Sequence, residues 1–170
     1  GQICVCASRV LVVEDISERF VELVVDRAQP VRVGNGLDPE IDLGPLINAP
    51  GYEKVALHVM DATSRGAKMK VGTDSPGPSK TFGNFFAPTV LTDVNESMLV
   101  SREETFGPVI AVRTVRDEAE AIRLANDTPY GLAAYLFTSD SDRAARIIDQ
   151  LRFGHVGVNT GSGPTPEAPF

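Results

Sequence analysis

Cysteine is scarce in this 170-residue sequence: there are two, Cys4 and Cys6, one residue apart. Two are too few for a disulfide scaffold, so a reducing, cytoplasmic setting is the default expectation. Positive charge is also short. The 16 Lys and Arg stand against 23 Asp and Glu, a net charge of −7, which argues against a nucleic-acid or anionic-membrane partner. No apolar run approaches the roughly 20 residues that a membrane span needs. There are two histidines, His58 and His155. With Cys-x-Cys they give neither a second cysteine pair nor close His-x-His spacing, so no metal site is expected. A Cys–His hydrolase dyad is weakly supported, because a lone His in a helix or at a strand start is more often structural. No glycine-rich phosphate loop is present, and the 15 glycines fall in turns.

What remains is an ordinary globular composition, 42% hydrophobic and 23% charged. The length suits about one domain, burying roughly 70% of its unfolded surface. Strand and helix signals alternate. Val10 to Val13 reads as a strand, and Glu14-Asp15 as a turn. Ser17 is expected to cap a helix carrying Phe20, Val21, Leu23, Val24 and Ala28, ended by Pro30. Residues 34–50 read as a surface loop whose apolar stretch Leu43 to Ile47 tucks against the body. A second helix is predicted from about Tyr52 to Arg65, with Val55, Val59 and Ala62 as its stripe and Gly66 as its stop. Ala67 to Val71 is a short strand, residues 72–80 an exposed and mobile segment, and Phe85-Phe86 and Thr89 to Leu91 β-prone.

Val109 to Val115 is a strong strand, followed by a helix capped by Asp117. Ala133 to Phe137 is another strand. A helix opened by Ser139 or Asp140 puts Ala144, Ile147, Ile148 and Leu151 on its core face, and Val156 to Asn159 is the last strand. Apolar strands covered on both faces argue for an α/β fold, a parallel twisted sheet with helices on both faces in three αβα layers. Neither internal repeat nor low-complexity tract is visible.

The chemistry concentrates at Gly1-Gln2-Ile3-Cys4-Val5-Cys6. A thiol on a glycine turn ahead of regular structure is a candidate nucleophile, because backbone amides there can lower its pKa and stabilise an oxyanion. The competing reading makes both cysteines small buried apolar residues.

A second motif, Ser101-Arg102-Glu103-Glu104-Thr105-Phe106-Gly107-Pro108-Val109, lies a hundred residues on. It resembles the Glu-Glu-x-Phe-Gly-Pro motif of the aldehyde dehydrogenase superfamily, and Gly-Gln-x-Cys resembles that family's nucleophile motif, in the family's order. Further stretches are similar: Gly44 to Ile47, Gly83 to Thr89, Ala125 to Ala134, Gly157 to Thr160, and the closing Ala168-Pro169-Phe170. The resemblance covers the whole chain. Cys-Val-Cys and the run at 33–38 are similar to the succinate-semialdehyde branch of the family. A chain that starts and ends inside motifs, with no leader and no initiator methionine, is expected to be an excerpt of a longer protein.

The resemblance implies a catalytic domain that oxidises an aldehyde, succinate semialdehyde or a similar aliphatic one, to its acid with NAD or NADP. Cys4 would form the thioester. Glu104 would hydrogen-bond the nicotinamide ribose, whose vicinal diol offers two donors, and Phe106 would pack along the nicotinamide. Phe170, Ser162 and Thr165 would lie near the aldehyde; Pro164 stands where the branch carries a serine. Asn159 reads as a turn residue near the site. Cys6 is a possible redox partner of Cys4, against the strain of so small a ring. Glu103 reads as structural. The family's general-base glutamate, its oxyanion asparagine and its adenosine-binding domain match nothing in these residues. Relatives assemble as homodimers or homotetramers. The alternative to an enzyme is a folded but inert domain that associates through a sheet edge.

Overall fold

The computed structural model describes residues 1–73 and 83–164. Most of the segment expected to be exposed at 72–80 lies outside the described residues, as do Thr165 and Phe170.

Six strands and five helices are interspersed along the described chain. Strand β1 (Val10–Val13) runs straight into helix α1 (Glu14–Ala28). Helix α2 (Ala49–Ser64) precedes β2 (Lys68–Val71) and β3 (Thr89–Thr92). A single helical turn, α3 (Leu99–Arg102), leads to β4 (Val109–Val115). Then come α4 (Glu118–Asn126), β5 (Ala133–Leu136), α5 (Ser141–Ile148) and β6 (His155–Val158).

The main sheet has the order β1-β4-β3-β2. Its β1–β4 and β3–β4 pairs are parallel, with Val10 opposite Val112 and Val90 opposite Ile110. The sheet is therefore α/β and parallel at its centre, as expected. The edge strand β2 runs antiparallel to β3, and β5 and β6 form a separate parallel pair. Neither feature was read from the sequence.

Helices cover both faces of the main sheet. Val55, Val59 and Ala62 of α2, each fully buried, pack into one core with Leu91, Val109 and Ala111 of β3 and β4. Successive strand residues point to opposite faces, so Val90 and Val112, also fully buried, face the side where α1 crosses the strands. All four residues of β3 are buried, as befits a strand covered on both sides.

Local chemistry explains most boundaries. The Asp117 and Asp140 side chains accept the backbone N–H of Glu120 and Arg143, at 2.8 and 2.9 Å, capping α4 and α5. Asn48 caps α2 in the same way through Gly51 at 2.8 Å. Gly66, at φ +101°, ends α2 in a left-handed turn that a β-carbon resists.

Helix α1 departs from expectation. It begins at Glu14 with no side-chain cap, so Glu14-Asp15 is its first turn, where carboxylates suit the positive end of the helix dipole. Ser17 instead shares a hydrogen bond of 2.7 Å with Thr114 of β4. Phe85 and Phe86 lie outside any strand; Phe86 is buried edge-on against Tyr52, ring centroids 5.3 Å apart. Helix α5 stops at Ile148 rather than near Gly154, so Ala144 and Ile147 carry its buried face.

Candidate active site

The first six residues fold as a tight turn closed by the Cys6 N–H donating to the Ile3 carbonyl at 2.9 Å. Three anchors fix it. The Gln2 side chain donates to the Pro45 carbonyl at 3.4 Å and accepts from the Ile47 N–H at 3.0 Å. This holds the Gly44 to Ile47 stretch, whose Leu46 is buried. The Tyr135 hydroxyl of β5 donates to the Val5 carbonyl at 2.7 Å. Gly163 lies against the Val5 side chain, and a β-carbon there would come within 3.0 Å of it.

The fourth contact joins the two motifs. Gly1 packs backbone to backbone on Gly107, and a β-carbon at Gly1 would overlap the Gly107 carbonyl. Gly107 in turn lies flat on Val55 of α2, where a β-carbon of its own would overlap the valine side chain. Segments a hundred residues apart thus meet only because both are glycine at the contact. Between them lies a shallow recess lined by Gly1, Ile3, Cys6, Glu104, Phe106 and Gly107.

Cys4 and Cys6 are both free and exposed, which removes the reading of two buried apolar residues. Cys6, not Cys4, lines the recess. Glu104 is half-buried; its backbone N–H points to the Tyr130 hydroxyl at 3.4 Å, and its carboxylate has no ion-pair partner among the described residues. Phe106 sits at φ +55°, a left-handed conformation unusual for an aromatic residue. The residue is 39% exposed. Ser162 is exposed, bonded through its N–H to the Thr160 hydroxyl at 3.1 Å, and lies next to Gly163 on the Cys turn. Asn159 behaves as a turn residue: at φ +53° its side chain bridges both backbone groups of Thr138 at 2.9 Å.

The electrostatics follow from burial. Desolvation pushes the Tyr135 hydroxyl pKa up, and thiolate charge at Cys6 and Cys4 adds to it, so the phenol stays protonated and able to donate to Val5. His58 of α2 is 1% exposed. Its Nδ1 lies 3.0 Å from the Thr105 hydroxyl and its Nε2 3.5 Å from the Glu103 carboxylate. Burial, helped by Lys54, pushes its pKa down against the pull of Glu103 and Asp61.

The sequence reading missed the anchors Gln2, Tyr135 and His58. Gln2 had a signal, since it belongs to the quoted nucleophile motif; the other two look like ordinary core positions. A more open groove, about 530 Å³, lies elsewhere. It is lined by charged side chains including Arg9, Arg102 and Arg113 and holds none of Cys4, Glu104 and Phe106. Its charges are answered internally: Arg9 donates to the Leu124 and Ala125 carbonyls at 2.8 and 2.9 Å, and Arg113 pairs with Glu96 at 3.2 Å. No group of His, Cys, Asp or Glu among the described residues is placed to hold a metal ion, and none of the described helices is long and apolar enough to cross a membrane.

The model of the aldehyde dehydrogenase family matches residues 1–170. The chain belongs to the aldehyde dehydrogenase family. It is 42% identical over 170 residues to a probable succinate-semialdehyde dehydrogenase [NADP(+)] of Sinorhizobium fredii, covering all of this chain and 34% of that protein. It is 46% identical over 172 residues to a non-phosphorylating aspartate-semialdehyde dehydrogenase of Halomonas elongata, again over 34% of that protein's length. The crystal structure of an oxidoreductase from Marinobacter aquaeolei superposes with a TM-score of 0.95 at 46% identity, over all of this chain and 35% of that one. The chain thus spans about a third of the length of the curated relatives it matches. Aldehyde dehydrogenases oxidise aldehydes with NAD or NADP, and this aldehyde dehydrogenase segment carries the stretch of the family that runs from Gly-Gln-x-Cys through Glu-Glu-x-Phe-Gly-Pro.

Proposed function

We propose that this chain supplies the nucleophile and the nicotinamide-side contacts of an enzyme that oxidises a short semialdehyde, of the succinate-semialdehyde type, to its acid with NAD or NADP. The observation that carries the reading is the glycine-on-glycine contact of Gly1 with Gly107. It brings the turn that carries Cys4 against the loop that carries Glu104 and Phe106, which supports one shared reaction site.

In this reading the Cys4 thiolate attacks the aldehyde carbon, forming a C–S bond and a tetrahedral oxyanion. The Cys4 backbone N–H donates to that oxyanion. A bound NAD or NADP, held by Glu104 and Phe106, would supply the acceptor for the hydride of the tetrahedral carbon. The acyl group left on Cys4 is a thioester, and water hydrolyses it to the acid and a free thiol. Glu104 and Phe106 suit the cofactor on their own features. A half-buried carboxylate without an ion-pair partner among the described residues fits the two hydroxyls of a ribose. An exposed ring on a strained backbone gains a partner when a flat cofactor ring lies against it.

Ser162, with Thr165 and Phe170 outside the described residues, is assigned to the aldehyde side. The semialdehydes for which these relatives are named, succinate and aspartate semialdehyde, support a short aldehyde that carries a carboxylate. Cys6, free, exposed and one residue from Cys4, is the candidate redox partner, against the strain of so small a ring; the complete enzyme is assigned to the cytoplasm as a homodimer or homotetramer. In the complete enzyme carrying this chain, Cys4→Ala is expected to abolish aldehyde-dependent reduction of NAD(P). Surviving turnover would contradict the assignment.

A further inference from the structure

His58 takes no part in the chemistry above, yet both of its ring nitrogens face one loop. Nδ1 is 3.0 Å from the Thr105 hydroxyl, and Nε2 is 3.5 Å from the Glu103 carboxylate. The two contacts straddle Glu104, and Phe106 follows at φ +55°. Three residues earlier on the same helix face, Val55 supports Gly107. Helix α2 therefore holds the 103–107 loop at both ends.

The chemistry of the partners fixes the tautomer. An ionised carboxylate only accepts, so Nε2 carries the proton and faces Glu103. Nδ1 then has a free lone pair and accepts from the Thr105 hydroxyl. A protonated ring would place a donor at Nδ1 and reverse that hydrogen bond, with the threonine oxygen accepting. Burial and Lys54 on α2 favour the neutral ring, while Asp61 on α2 and Glu103 on the loop oppose them. Thr105 is itself 6% exposed, so a hydroxyl left without this partner has little water to turn to.

We infer that His58 is a positioning residue, whose imidazole spans Thr105 and Glu103 and so presents Glu104 and Phe106 to the cofactor without touching it. The inference rests on the proposed roles of Glu104 and Phe106. A loop with a left-handed aromatic residue holds its shape only when its surroundings over-determine it. The His58 bridge and the Gly107 seat are those surroundings.

The test uses the complete enzyme carrying this chain, with NAD or NADP affinity read by titration calorimetry as well as by kinetics. His58→Ala and Thr105→Val are each expected to weaken cofactor binding about five- to tenfold, the worth of a buried hydrogen bond. The double variant is expected to bind no more weakly than His58→Ala, because one interaction has been removed twice. His58→Asn, which keeps an acceptor for Thr105, is expected to recover most of the loss. Alkylation of Cys4 is expected to stay within about twofold of wild type in all of them, as for changes away from a site. Folded His58→Ala with unchanged cofactor affinity would overturn the inference. If that variant does not fold, near-isosteric Thr105→Val carries the test, and unchanged affinity there overturns it equally. Cys4→Ser, run alongside, separates the two readings. Turnover by Cys4→Ser contradicts the proposed function, whereas an inactive Cys4→Ser beside unmoved cofactor affinity contradicts the positioning role alone.

Discussion

Gly107 does two jobs. It receives the backbone of Gly1 on one side and rests on Val55 on the other. A methyl group has no room toward Val55, a branched and fully buried residue of α2 that cannot swing aside. Gly107→Ala is therefore expected to lower stability by about 1–3 kcal/mol, the usual penalty of overpacking, and to slow Cys4 alkylation as the turn is displaced. Urea unfolding and mass spectrometry check the two effects, and an alanine variant of wild-type stability would contradict the contact. The motifs that carry the proposed site residues Cys4, Glu104 and Phe106 were legible in the sequence because they are long and distinctive. His58 was not. It sits three residues after Val55 on an apolar helix face, where an imidazole reads as core, and its partners Glu103 and Thr105 come more than 40 residues later. Tyr135 was hidden for the same reason. A strand tyrosine gives no sign that its hydroxyl will reach a carbonyl 130 positions away.

At the scale of elements, local signals were read well and pairings were not. The strands Val10–Val13 and Val109–Val115 match their apolar, β-branched runs residue for residue. The Asp117 cap was equally plain, since its side chain closes the first turn of α4 on Glu120. Asp117→Ala is expected to cost about 1 kcal/mol, read as a drop in the unfolding midpoint with the denaturant slope unchanged. A midpoint equal to wild type would mean the cap is idle. The start of α1 was missed because a strand that passes directly into a helix leaves no turn residues to mark the junction. Strand direction leaves still less trace. Nothing in Lys-Met-Lys-Val announces that β2 lies antiparallel to β3, because direction depends on the residues between the two strands, not on the strands themselves. The split of β5 and β6 into their own pair is likewise a matter of tertiary placement.

On the scale of the whole molecule, the sheet is a scaffold that brings loops from distant parts of the chain to one side. The Cys4 turn precedes β1, the 103–107 loop precedes β4, and residues 161–164 follow β6. Helix α2 supports the second of these loops through Val55 and His58, and Tyr135 of β5 ties the first. That convergence explains why residues spread over the chain carry one family's motifs. The central claim is that Cys4, and no other residue, holds the acyl group. The most direct test mixes the complete enzyme with a semialdehyde and NAD or NADP, quenches in acid, and weighs the peptide spanning Cys4 and Cys6 with fragmentation between them. The account predicts an acyl group on Cys4 that forms and decays at rates matching turnover. An acyl group on Cys6, or turnover with neither thiol modified, would contradict it.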